Sequence, residues 1–439
     1  MNAEARADET STPLGVNTSP GVNTSPGVNT VTARETGRLG VSVIVSIGLG
    51  YLLTVACGRL LSPADYAVFL AFWGVLMGLG SALSPLEQEL SRQAAVATLA
   101  GGRAGRPALR AIAVGVGVSA VVSLVIMLPP VSERLWHGHT VLAVPVLAGG
   151  VAFACQFGVR GLLIGHNEIK RYSWLVVAEA AARALVLGVV VLAAVAGLPG
   201  LAVAVAAGSF AWLFFARHAS RLVDPHLKGE SWFPVGRRVL LLMGAAALSA
   251  SVITGYPALV KLLVPGGDGN ALGALFAAVI VARAPLTLLQ PIQAVAVPFV
   301  VRLSSTEDGK RGLRKALALG TLGALVLAAA AALAGLGIGP WVVRLVFGDA
   351  YRVPGWAMAG LLWSSVLMIP LQLLTSVLVA RTRANKVLTT WAVVAISTMA
   401  VLILLPGDAV SRAVLGLVAG PTLGLVTVLA FVLRGRERP

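Results

Sequence analysis

Charge is scarce in this chain. Of its 439 residues only 12% are Asp, Glu, Lys or Arg, against roughly 25% in an average soluble domain. So few charges exclude a disordered or nucleic-acid-binding protein and cannot coat an ordinary soluble globule. Acids are the rarer sign, 18 against 34 Lys and Arg, for a net charge of +16. In a soluble protein that excess would suggest nucleic acid; in an apolar chain it reports cytoplasmic loops. Cysteine is nearly absent. Cys57 and Cys155 lie inside apolar runs, which excludes a disulfide framework and a Cys-ligated zinc or iron–sulfur site. The five histidines are scattered, and the one close pair, His137 and His139, lacks a spaced third ligand. No apolar run lies near Met1, so a secretory signal is excluded. No Walker loop, Ser/His/Asp set or metal-binding carboxylate cluster is visible. The chain therefore carries no enzyme signature and calls for no cofactor.

Long apolar runs are what the sequence has instead: 57% of residues are hydrophobic and the mean hydropathy is +0.88. A helix needs about 20 apolar residues to cross a hydrocarbon core of roughly 30 Å. Runs of that length fall at 39–58, 66–86, 109–129, 140–164, 173–196, 198–216, 239–263, 271–300, 316–338, 355–380, 387–405 and 410–433. That gives about 12 transmembrane helices. Barrel strands would alternate in polarity over about ten residues, and these runs are apolar throughout. Ahead of them, residues 1–37 repeat Gly-Val-Asn-Thr-Ser-Pro at 15–20 and 21–26. Pro and Gly at that spacing deny helix and strand, so the segment reads as a disordered tail.

Orientation follows from Lys and Arg. With both termini cytoplasmic, the inner segments hold roughly four times as many cations as the outer ones, where Arg59, Arg134, Lys261, Arg344, Arg352 and Arg412 fall. The longest inner connection, 217–238, divides the membrane region into lobes 38–216 and 239–433, and 434–439 forms a short basic cytoplasmic tail. Six plus six spans with a basic linker is the outline of a secondary transporter. The loop after span two, SPLEQELSRQAAVATLAGGRAGRP, lacks the Gly-x-x-x-Asp-Arg motif of the major facilitators.

Three stretches carry a family resemblance. They are GRLLSPADYAVFLAFWGVLMGLGSALSPLEQELSRQAA at 58–95, LFAAVIVARAPLTLLQPIQAVAVPFVVRLSSTEDG at 275–309, and VRLVFGDAYRVPGWAMAGLLWSSVLMIPLQLLTSVLVARTRANKVL at 343–388. Their order and spacing resemble the multidrug/oligosaccharidyl-lipid/polysaccharide (MOP) exporter superfamily and, within it, polysaccharide flippases of the Wzx or O-antigen type. Ala67 departs from the Gly commoner there. The resemblance implies an all-α polytopic membrane protein of the MATE/flippase-like fold, two six-helix lobes facing each other around a central cavity. It implies transport of an undecaprenyl-diphosphate-linked oligosaccharide across a bacterial cytoplasmic membrane by alternating access. Partners would be the lipid-linked glycan, membrane lipids, and a glycan polymerase or glycosyltransferases, with no nucleic acid.

A diphosphate crossing hydrocarbon needs fixed cations at depth. Arg283, about 18 Å into span eight at 1.5 Å per residue and followed by Pro285, Gln290, Pro291 and Gln293, is the first candidate for an anionic headgroup. Lys261, after Pro257 near the outer end of span seven, and Arg160, near the inner end of span four, are further candidates. Glu179 and Arg183 stand four apart on one helix face, so they form either a structural ion pair or a proton-coupling site. No metal site is expected. Gly74 and Gly78 in span two permit close helix contact. Trp136, Trp232 and Trp341 fall near expected membrane interfaces. The alternatives are a lipid II flippase or small-molecule antiporter of the same superfamily, or a non-transporting scaffold of an envelope-synthesis complex.

Overall fold

The computed structural model describes residues 33–227, 229–288, 307–380 and 383–433. The repeat tail up to residue 32, Lys228, Gln290, Pro291, Gln293, Arg302 and the final basic segment lie outside the described residues. Seventeen α-helices follow one another among the described residues, with no strand. They are α1 (Ala33–Leu60), α2 (Pro63–Leu83), α3 (Pro85–Leu99), α4 (Arg106–Met127), α5 (Pro129–Trp136), α6 (Ala143–Gly165), α7 (Ile169–Leu192), α8 (Leu198–Ala207) and α9 (Leu213–Ser220). Then come α10 (Trp232–Ile253), α11 (Tyr256–Leu263), α12 (Gly269–Leu288), α13 (Glu307–Gly337), α14 (Gly339–Phe347), α15 (Gly355–Ala380), α16 (Ala384–Leu404) and α17 (Ala409–Leu433). Eleven stretches are long and apolar enough to cross a membrane, and α12 adds a shorter apolar helix over Gly269–Ala284. The protein is a multi-pass membrane protein. The end of the bundle where α1 begins is here the proximal face, and the opposite end the distal face.

Proline punctuates the chain where a helix tolerates it. Pro63, Pro85, Pro129 and Pro257 stand in first turns, where the missing N–H has no intrahelical partner to lose. Ser62 caps α2, its hydroxyl oxygen accepting from the Asp65 N–H at 3.2 Å. Three expected spans are broken helices, among them span six, which is α8 followed by α9 across residues 208–212. Span two is α2 followed by α3, with the break at Ser84-Pro85; span seven is α10 followed by α11, with the break at Thr254-Gly255. Pro145 falls in the first turn of α6, whereas Pro370 lies inside α15. The connection between the lobes is shorter than 217–238, because α9 runs to Ser220 and α10 begins at Trp232. It docks on the turn before α4, where the Ala104 N–H donates to the Leu222 carbonyl at 3.1 Å and the Asp224 N–H to the Ala104 carbonyl at 2.8 Å.

Helix faces turned inward are small or apolar, and many Leu and Val side chains elsewhere are exposed, including Leu185, Leu192, Val326 and Leu333. Outward apolar surface of this extent belongs in lipid. Trp232 and Trp341 are exposed, but Trp136 is fully buried, its ring 6.3 Å from that of Phe72. Trp136 is therefore a packing residue under α5. The short helix α5 buries its apolar side against α2, which turns a ring expected at the interface into the core.

Candidate functional site

Where the lobes face each other, α1, α2, the α10–α11 break, α12 and α15 enclose about 1080 Å³ of space free of protein atoms, part of it open to the surroundings. Its wall includes Tyr51, Thr54, Trp73, Thr254, Arg283 and Gln372. No carboxylate is among the described lining residues. Arg283 lies 14 residues past the start of α12, about 21 Å along the axis. Its guanidinium donates to the Val252 carbonyl at 3.1 Å and to the Ile253 carbonyl. These carbonyls are available because α10 stops at Ile253, leaving its last turn without onward partners. The cation thus sits at a helix C-terminus, where the backbone dipole favours it. It forms no ion pair among the described residues.

Below the cavity the lobes touch through the smallest available surface. Gly74 and Gly78 of α2 lie against the α10–α11 break, and a methyl group on either would stand 3.3–3.5 Å from the backbone of Thr254 and Gly255. The Ser81 and Thr254 hydroxyls meet there at 3.4 Å. The two glycines expected to allow close approach are this crossing.

On the distal side the lobes are clamped. The Arg59 side chain, at the end of α1, donates to the carbonyls of Val346 at 2.7 Å and Leu345 at 2.6 Å. The Tyr351 hydroxyl donates to the Gly58 carbonyl at 2.6 Å. Tyr66, Phe347 and Tyr351 pack in tilted and edge-to-face pairs with ring centroids 5.5–5.7 Å apart. Thus two of the three stretches that carry the family resemblance meet here. The start of α12 also packs directly on Pro63, through Gly273. On the proximal side, buried Glu89 of α3 accepts from Arg92 at 2.7 Å, Gln93 at 2.8 Å and Arg238 of α10 at 2.7 Å. Arg238 also reaches Glu230 at 2.6 Å.

The other candidates lie elsewhere. Arg160 does not join Arg283 in the cavity. It turns into the first lobe, where the Glu179 carboxylate takes both Arg160 and Arg183 and accepts from the Gln156 amide at 2.7 Å. Position along a helix fixes depth but not the neighbour a side chain turns towards, and Arg160 turns towards Glu179. Lys261 is also separate from Arg283. It lines a distal pocket with Glu133, Arg134 and His137, none of which borders the central cavity. Among the described residues no group of three His, Cys, Asp or Glu could hold a metal ion, and Cys57 and Cys155 are free thiols.

Two lobes of broken and continuous helices around such a cavity define a fold class, and comparison with solved structures places the chain in it. The lipid II flippase MurJ in its inward closed conformation superposes with a TM-score of 0.66 over 90% of this chain and 87% of that one, at 12% identity. An inward-facing multidrug resistance MATE family transporter of the MOP superfamily gives 0.62 over 90% of this chain and all of that one, also at 12% identity. The chain shares the fold of these two proteins. No family model matches the sequence. Among curated proteins, the chain is 31% identical over 425 residues to the uncharacterized protein Rv1510 of Mycobacterium tuberculosis, covering 92% of this chain and 94% of that one. It is 29% identical over 452 residues to the uncharacterized protein Mb3654 of Mycobacterium bovis, covering 97% and 98%. The chain belongs to the family of Rv1510.

Proposed function

We propose that this protein is a transporter of the bacterial cytoplasmic membrane that flips an anionic, polyprenyl-diphosphate-linked oligosaccharide, without covalent catalysis. One observation carries the reading. The cavity between the lobes holds a guanidinium at mid-depth and, among the described residues, no carboxylate in its lining. Burying a cation at the bilayer centre costs about 2.5–3.5 kcal/mol on insertion scales, and an anionic ligand offsets that cost where backbone carbonyls alone only partly do. On the charge-derived orientation the distal face is the outer one, so the clamp of Arg59, Phe347 and Tyr351 closes the outside. The substrate enters from the cytoplasmic leaflet and is released when the two lobes rock apart distally.

A cationic-drug antiporter fits less well, because it needs acids facing the cavity. Lipid II shares the diphosphate, so the glycan is decided by experiment. In proteoliposomes containing the full chain, a fluorescent polyprenyl-diphosphate oligosaccharide should become accessible to an external reagent, and Arg283→Ala should slow this at least tenfold at equal incorporation. Lipid II moving faster than the oligosaccharide would assign the narrower substrate. No movement of either would end the transport reading and leave a scaffold role.

A further inference from the structure

The structure exposes an internal repeat at the distal face. Arg59-Leu60-Leu61-Ser62-Pro63 closes the first span of one lobe, and Lys261-Leu262-Leu263-Val264-Pro265 that of the other. The short distal helices match as well. Pro130-x-x-x-Arg134-Leu135-Trp136-His137-Gly138 in and after α5 corresponds to Pro340-x-x-x-Arg344-Leu345-Val346-Phe347-Gly348 in and after α14. Both glycines have positive φ, 91° and 109°. Each helix reaches across to the opposite lobe, α14 to Arg59 and α5 to Lys261.

Equivalent positions are used differently. In the α14 clamp the cation is consumed by two carbonyls, and Phe347 and Tyr351 fill the space. In the α5 clamp His137 stands where Phe347 does. Val141, at the position equivalent to Tyr351, is 54% exposed and plugs nothing. What remains is a pocket of about 520 Å³, part of it open to the surroundings, whose lining includes Glu133, Arg134, His137, Lys261, the turn at residues 264–267 and Leu272 of α12. Lys261 is 96% buried, being 4% exposed. Its ammonium has one polar neighbour, the Nδ1 of His137 at 3.3 Å, and no carboxylate within 4 Å among the described residues. Among the described residues Arg134 has only a long contact to the Leu262 carbonyl, at 3.5 Å. Three donors on an ammonium facing one ring nitrogen are under-used, and burying a cation without a counter-charge is unfavourable.

We propose that this pocket binds a phosphate-class oxyanion, held by Lys261 and Arg134 with His137, between the two lobes. Ammonium and guanidinium together suit a tetrahedral oxyanion, and the volume leaves room for a substituent on it. Because its ligating groups come from both lobes, the site is complete only while the distal clamps are closed. Ligand binding and closure therefore favour each other. The site is separate from the Arg283 cavity and does not depend on what that cavity carries.

The test is thermal unfolding of the full-length protein, in detergent with inorganic phosphate against chloride of equal ionic strength, and in nanodiscs with and without a polyprenyl phosphate. Phosphate should raise the midpoint by about 2 °C or more. Lys261→Met, Arg134→Gln and His137→Phe, the last copying the other clamp, should each remove the rise, and Lys261→Arg should retain it. If Lys261→Met does not fold, exposed Arg134 decides. A rise produced by the lipid phosphate alone, and lost in the same variants, supports the site with a headgroup as its ligand. No rise with either ligand overturns the proposal, as does a rise that survives in Lys261→Met and Arg134→Gln. Neither outcome bears on transport through the central cavity.

Discussion

Glu179 shows how much one side chain can hold. Its carboxylate pairs with both Arg160 and Arg183 and accepts from Gln156, all inside the first lobe. Replacing one partner of a buried ionic group strands the others, at about 3–5 kcal/mol. Glu179→Gln should therefore lower the apparent unfolding midpoint more than Arg160→Met does. The double variant should regain part of the loss, since it leaves one unpaired cation instead of two; strict additivity in a thermal-melt cycle would refute the network. Asp408 makes a smaller case outside the spans. It caps α17 by accepting from the N–H groups of Val410 at 3.1 Å and Ser411 at 3.2 Å. The bonds around Ser411, ahead of an opposing contribution from burial, hold its carboxyl below the usual range. A depressed carboxyl stabilises above its ordinary pKa and loses that contribution as pH falls through the folded-state value. Asp408→Ala should weaken the first turn of α17 by about 1 kcal/mol at neutral pH. Amide exchange at Val410 and Ser411 should register this, with the difference vanishing in acid.

At the scale of elements, the broken helices position the site. The stop at Ile253 frees the carbonyls that hold Arg283, and the restart at Pro257 aims α11 and Lys261 distally. The same break needs the glycine surface of α2. Gly78→Leu would push a branched side chain into backbone 3.5 Å away, costing about 1–3 kcal/mol if the lobes stay together. The variant should lose transport while retaining membrane insertion. Wild-type flipping in the reconstituted assay would show that this crossing does not matter. The apolar runs that became helices were plain in the sequence; the prolines that stand in first turns were not read there as helix starts. The break at Thr254 was not plain either, because apolar sequence flanks it on both sides and hydropathy does not register a two-residue interruption. At Ser84 the apolar run of α2 gives way to the largely polar α3, which ends a hydropathy run without showing that the helix resumes.

At the scale of the molecule, two lobes meet at a distal clamp, a glycine crossing and a proximal ionic latch, with the cavity between the first and last of these. Fully buried Cys57, beside the clamp, is a natural reporter. In a Cys155→Ser background, Arg59→Gln should loosen the clamp and raise labelling of Cys57 by an impermeant maleimide several-fold. Unchanged labelling would mean that Arg59 does not keep the distal face shut. The Arg59 and Lys261 repeat was present in the sequence but is only five residues long. It gains meaning when the fold shows α5 and α14 reaching across to opposite lobes.

Composition alone determined that this chain crosses a membrane about twelve times as helices, because a backbone in hydrocarbon must satisfy its own hydrogen bonds and apolar run length sets each crossing. The depth of each cation followed from counting residues along a helix. Its partner did not, since the direction a side chain faces depends on which helices pack around it. Arg160 went to Glu179, Lys261 to His137 and Arg283 to the cavity wall. Tertiary packing decided those three fates, because they depend on contacts between helices distant in sequence, which a linear pattern does not encode.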